Sequence, residues 1–257
     1  MRNLRSLVRS FLQSRWRYDP LVYWNERRNP NSATPEMTRD HIEYVRRQVS
    51  DCKHILDLGP GIGRIFPAYG GLERVEGYDI SSAYRDRALG AAAGYSFDFT
   101  LRVEDGIGRL PYEDDRFDAA VSVSVLLHQT PDRVVDLMEE LARVARKVVI
   151  VSLFDAGSAY DPVAERHPRT AQYCFNYDYF AICETNGWTI LDSRVDPSVR
   201  QIFFVYATGD TDGGPVQARG NRKAGDADHL GVRPVGDGPS PAANGAMASS
   251  ASTTTPA

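Results

Sequence analysis

From residue 53 to residue 208 short apolar runs alternate with segments of helical period. KHILDLG (53–59) predicts a strand, GRIFPAYGG (63–71) a short helix closed by glycines, and RVEGYDI (74–80) a second strand. SAYRDRALGAAAGY (82–95) reads as a helix, FDFTLRVED (97–105) as a strand and GIGRLPYEDD (106–115) as a punctuated loop. FDAAVSVSVLLH (117–128) carries the strongest buried-strand pattern, DRVVDLMEELARVAR (132–146) a helical one after Pro131, and KVVIVSLF (147–154) a further strand. Residues 155–176 read as an aromatic and polar loop, YDYFAICETNGW (177–188) as a helix, and TILDSRV and VRQIFFVYAT as two closing strands. Continuous apolar strands between helices predict an α/β fold: a Rossmann-like, doubly wound, mostly parallel seven-stranded sheet covered on both faces. The last two strands are joined by DPS (196–198), a link that suits a hairpin and makes the last strand antiparallel.

The two ends of the chain differ from this middle. Residues 1–17 carry Arg2, Arg5, Arg9, Arg15 and Arg17 without an acid, and Leu4, Leu7, Val8, Phe11, Leu12 and Trp16 recur at helical spacing. A basic amphipathic helix suits either packing on the domain or contact with an anionic membrane surface, and packing is the preferred reading. Residues 1–50 are thus expected to form a helical segment that can serve as a lid over a domain spanning 51–208. From Gly209 onward nine glycines and five prolines accompany a single leucine, Leu230, and no aromatic residue. Such a segment buries too little apolar area to offset ordering, so 209–257 is expected to be a disordered tail.

Composition narrows the classes. A net charge of −4 disfavours a nucleic-acid partner. Cys52, Cys174 and Cys183 form no CxxC pair and are odd in number, which argues against a disulfide framework or a zinc cluster and for a reducing, cytoplasmic setting. No run reaches the roughly 18 apolar residues of a membrane span.

The chemistry concentrates behind the first strand. ILDLGPGIGR (55–64) places Gly59, Gly61 and Gly63 where ligands of open α/β sheets bind, beyond the carboxyl ends of the strands. Arg64 stands where the dinucleotide fingerprint needs a small residue, and no GK[ST] follows to make a P-loop. Asp57 places negative charge beside the loop, which suits an ammonium or sulfonium group better than a pyrophosphate. An NAD-dependent oxidoreductase is therefore disfavoured.

DLGPGIG (57–63) resembles the first motif of class I S-adenosylmethionine (SAM)-dependent methyltransferases, and three later segments follow in order. GYDIS (77–81) places Asp79, with Ile80 beside it, where the resemblance implies a carboxylate on both ribose hydroxyls. VEDGIGRLPYEDDRFDAAVSVSVLLH resembles the third and fourth motifs: Asp105, Gly106 and Ile107 match the adenine positions, and Ser124 to Leu126 the stretch lining the methionine end. The resemblance covers about residues 40–208 and implies SAM as the methyl donor for an oxygen or nitrogen of a small-molecule acceptor. A catalytically inactive SAM-binding scaffold is the alternative.

His128 follows the buried run of the fourth strand and is the leading general base; a histidine donating to a loop carbonyl is the other reading. His167 and Tyr173 lie in the 155–176 loop, at the family's substrate-covering position. Tyr23, Trp24 and Arg27, in WRYDPLVYWNERRN (16–29), resemble an aromatic lid entry seen in small-molecule methyltransferases; ordinary helix packing is equally open. Glu113, Asp114 and Asp115 lie in a solvated loop, so no metal is expected.

Overall fold

The computed structural model describes residues 20–26, 33–104, 108–131, 133–154, 165–166 and 173–208. The expected basic helix over 1–17 and tail over 209–257 lie outside these residues. Two helices come first, α1 (Pro20–Glu26) and α2 (Pro35–Gln48). Thr34 caps α2 by accepting the Met37 N–H, and Pro35 starts it where a missing N–H costs nothing. The sheet then alternates with helices: β1 (His54–Leu58), β2 (Arg74–Asp79), α3 (Arg85–Ala92), β3 (Asp98–Val103), β4 (Ala119–Val123), α4 (Val134–Val144) and β5 (Val148–Leu153). It ends with α5 (Tyr179–Asn186), β6 (Thr189–Asp196) and β7 (Gln201–Ala207).

The seven strands lie in the order β3-β2-β1-β4-β5-β7-β6. Strands β1 to β5 pair in parallel, and β7 is antiparallel to both β5 and β6, as the DPS link predicts. Strand order reverses between β1 and β4, so the crevice beyond these strands is the topological switch point. Every residue of β4 and β7 is buried, which is why these segments read as unbroken apolar runs. One face carries α4 and α5 over Leu56, Leu58, Ala120 and Phe204; the other packs α2 and α3 over Ile55, Val75, Val121 and Phe203. No helix among the described residues is long and apolar enough to cross a membrane.

Two elements depart from the sequence expectation. The run 117–128 is not one strand: β4 ends at Val123, Ser124 turns to φ 62°, and Leu126–His128 forms a 3-10 turn. The glycine-closed helix at 63–71 is a single 3-10 turn, Phe66–Tyr69. Pro67 has no N–H to send to Gly63, and the turn closes through i−3 bonds, Phe66 N–H to Gly63 and Ala68 N–H to Ile65.

Candidate active site

Main-chain geometry builds the β1 side of the crevice. Gly59, Gly61 and Gly63 have φ of 71°, 56° and 81°, the left-handed region where a side chain is strained. A Cβ on Gly59 would lie 2.4 Å from Val125 Cγ2, so the loop is closed to any larger residue there. The Gly59 N–H donates to the Tyr78 carbonyl at 2.8 Å and anchors the loop to β2. At the end of β2, Asp79 accepts the Gly61 N–H on Oδ2 (3.1 Å) and the Ser81 N–H on Oδ1 (2.9 Å). The carboxylate predicted from GYDIS thus sits against the glycine loop, fixed by backbone donors on both oxygens. Its pKa is raised by burial, and the Ser81, Gly61 and Ile80 N–H groups oppose that shift. Ile80 follows it directly, placing its N–H in the same turn.

Asp57 lies beneath the loop, 4% exposed. Burial pushes its pKa up to about 7, and the nearby Asp79 charge adds to the rise while Tyr69 and Arg64 oppose it. Tyr69 is fully buried beside Asp57, yet its hydroxyl finds no hydrogen bond of good geometry. Burial makes the charge of this carboxylate costly, and a nearby positive group such as Arg64 offsets part of that cost. A phosphate would aggravate that charge; an ammonium or sulfonium relieves it.

Sequence reasoning used Arg64 to exclude dinucleotides and did not see its partners. Its Nη1 donates to His41 Nδ1 at 2.9 Å, and His41 Nε2 lies 2.8 Å from Gln201 Oε1. Arginine cannot accept, so His41 Nδ1 is the acceptor and its Nε2–H the donor to Gln201. Burial pushes the His41 pKa down to about 4, keeping that neutral tautomer at ordinary pH. The chain of contacts ties the end of the glycine loop to α2 and to the start of β7.

The β4 side is made by side chains from separate segments. Ser124, at φ 62°, turns the chain out of β4, and its N–H donates to Val151 at 2.8 Å. His128 closes the following 3-10 turn and is 5% exposed. The Trp24 indole meets its ring edge-on with centroids 4.9 Å apart, and Tyr23 packs against Trp24 at 5.0 Å. Cys174 Sγ lies 3.9 Å from His128 Nδ1. The Phe175 N–H donates to the Leu127 carbonyl (2.7 Å) and the Tyr177 hydroxyl to the Gln129 carbonyl (2.5 Å), pinning residues 175–177 onto the histidine turn.

Helix α1 bridges the two sides. Ser81 Oγ donates to the Trp24 carbonyl and Asn25 Oδ1 at 3.2 Å each, and the Ala83 N–H reaches Asn25 Oδ1 at 3.4 Å. The same helix therefore touches the turn after Asp79 and covers His128. Asn25 and Cys174 carry no motif that sequence spacing could expose. Of the remaining predicted residues, Arg27, Asp105, Gly106 and His167 lie outside the described residues. Tyr173 is placed by its backbone, in a two-residue pairing of Tyr173–Cys174 with Glu165–Arg166.

Comparison with known proteins agrees with this geometry. Residues 56–152 match a family model described as a methyltransferase domain. No curated protein matches the sequence. Among solved structures, magnesium protoporphyrin IX methyltransferase from Synechocystis PCC 6803, with SAH bound, superposes at TM-score 0.54 and 16% identity, over 80% of this chain and all of that one. A methyltransferase of Haloferax volcanii, in complex with its Trm112 activator, matches at TM-score 0.54 and 14% identity over 75% of this chain and 99% of its own. An O-methyltransferase family protein from Burkholderia thailandensis gives 0.53 and 11%, over 77% of this chain and 63% of that protein. Residues 56–152 thus resemble a methyltransferase domain, and the chain shares its fold with these solved structures.

Proposed function

We propose that the chain transfers a methyl group from SAM to an oxygen or nitrogen of a small-molecule acceptor, with His128 as the general base. The observation that carries this reading is the pairing of a left-handed glycine loop with a backbone-anchored carboxylate, Asp79, beside the switch point. When bound, SAM supplies an electrophilic methyl group on a sulfonium. Gly59, Gly61 and Gly63 admit it close to the main chain, Asp79 holds the ribose hydroxyls with its remaining lone pairs, and Asp57 faces the cationic end. Asp105 and Gly106 take the adenine, and Ser124 lines the methionine end.

The protein's own work is to orient and to move one proton. Holding donor and acceptor in line is worth up to roughly 7–11 kcal/mol in the best intramolecular cases. A neutral His128 removes the acceptor proton, worth about 10²–10⁴ in rate. Trp24, with Tyr23 packed on it, lies over that ring and excludes water; Arg27, His167 and Tyr173 are assigned to the acceptor side by the sequence resemblance. What supports the base reading is the place of His128 at the end of the turn after β4, with the Trp24 ring and Cys174 Sγ beside it. Phenols, catechols, carboxylic acids and amines incubated with SAM, with SAH formation read out, test the proposal. Turnover of one acceptor class, lost in His128→Ala, is expected; SAM binding without turnover on any class supports the inactive scaffold instead.

A further inference from the structure

The sheet has two edges, and they are finished differently. At β6 the register with β7 shifts between Ile190 and Asp192, a bulge that blunts the edge against further pairing. At β3 six consecutive residues pair with β2 without a shift, and β3 pairs with β2 alone among the described residues. The Asp98 and Glu104 N–H groups point to β2, accepted by Glu73 and Asp79. Backbone direction alternates along a strand, so the main-chain groups of Phe99, Leu101 and Val103 point away from the sheet.

We infer that β3 docks antiparallel on β3 of a second copy of this chain, about a twofold axis at Thr100. The strand DFTLRV is self-complementary about that residue. Thr100 faces the partner's Thr100, and Phe99 opposes the partner's Leu101 with both sets of outward main-chain groups, so each such pair exchanges two hydrogen bonds. Asp98 opposes the partner's Arg102, and the symmetry makes this ion pair twice, on a non-hydrogen-bonded position where side chains approach most closely. Within one chain these charges are only loosely engaged: Asp98 lies 3.8 Å from Arg74 and Arg102 3.4 Å from Glu104, all on exposed side chains. On the opposite face Leu89 and Tyr95 are 39% and 37% exposed, and Tyr95 stacks on Phe97 just before β3. They flank the pairing on that face.

Sedimentation of the full chain from roughly 1 to 100 µM is expected to show a monomer–dimer equilibrium. Arg102→Asp sets like charges opposite each other at both pairs and is expected to weaken the dimer at least about tenfold. Adding Asp98→Arg to it exchanges the two signs and is expected to restore the dimer. Hydrogen exchange serves as a second reading on the unaltered chain: the Phe99, Leu101 and Val103 amides are expected to gain protection as concentration rises. A chain that stays monomeric across the range overturns the inference. So does a dimer indifferent to Arg102→Asp, a double variant that fails to recover, or a dimer whose odd-numbered β3 amides exchange as fast as in the monomer.

Discussion

At the ends of β1 and β2 the crevice is lined by main chain. Three left-handed glycines, the Gly61 and Ser81 N–H groups and the carboxylate they anchor lie within a stretch of 25 residues, 57–81. At the end of β4 the lining is made of side chains that meet from far apart: Trp24 from α1, His128 from the β4 turn and Cys174 from the segment before α5. The first side is fixed by covalent neighbourhood and the strand pairing of β1 with β2. The second depends on α1 and residues 174–177 docking against the turn after β4. The difference suits a site that holds one constant donor and admits a variable acceptor, since a lid must open where the backbone cradle need not.

Substitutions can break the comparison at either side. The largest effect is expected from His128→Ala: kcat falls about 10²–10⁴, while SAM affinity, measured by calorimetry, stays within about twofold because the imidazole is assigned to the acceptor and not to the donor. Comparable loss of SAM binding would join the two sides into one. Gly59→Ala attacks the other side. It combines left-handed strain of about 1–2 kcal/mol with a clash against Val125, and a thermal melt should show about 2–4 kcal/mol lost. Asp79→Asn is expected to weaken SAM roughly 10- to 100-fold, the worth of a charge-assisted hydrogen bond pair, with near-normal melting. Trp24→Ala should raise the acceptor KM several-fold, since an aromatic pair is worth about 0.5–1.5 kcal/mol, and leave SAM affinity unchanged.

The smallest effect is in pH dependence. Asp57 is raised to about 7, so its share of stability is full below its unfolded value near 4 and is lost as pH rises through about 7. His41 is lowered to about 4, so its share is full above its unfolded value near 6.5 and is lost as pH falls toward 4. The two slopes oppose between pH 4 and 6.5. Asp57→Asn removes one of them, and urea melts of that variant should show stability falling as pH drops across this window; a flat profile contradicts the His41 assignment.

How much was legible follows from the same contrast. Buried parallel strands announce themselves as unbroken apolar runs, so β4, β5 and β7 and the final hairpin could be read from the chain. Asp57, the glycines and Asp79 could be read because their geometry is local: strand, turn, strand. The 3-10 turn at Phe66–Tyr69 was missed because one proline outweighs an otherwise helical pattern. The end of β4 was missed because apolar burial continues past Val123 while the backbone turns at Ser124, and hydrophobicity records burial rather than φ. Asn25, Cys174 and the Arg64–His41–Gln201 chain are long-range contacts, separated by up to 160 residues, and leave no periodic trace.

The central claim is that the backbone cradle beside Asp79 receives SAM. Calorimetric titration of the unaltered chain with SAM and, separately, with NAD tests it most directly. Saturable binding of one SAM per chain, strongly reduced in Asp79→Asn, with no heat from NAD, is the result expected. Binding of NAD, or a SAM affinity that Asp79→Asn leaves unchanged, would contradict it.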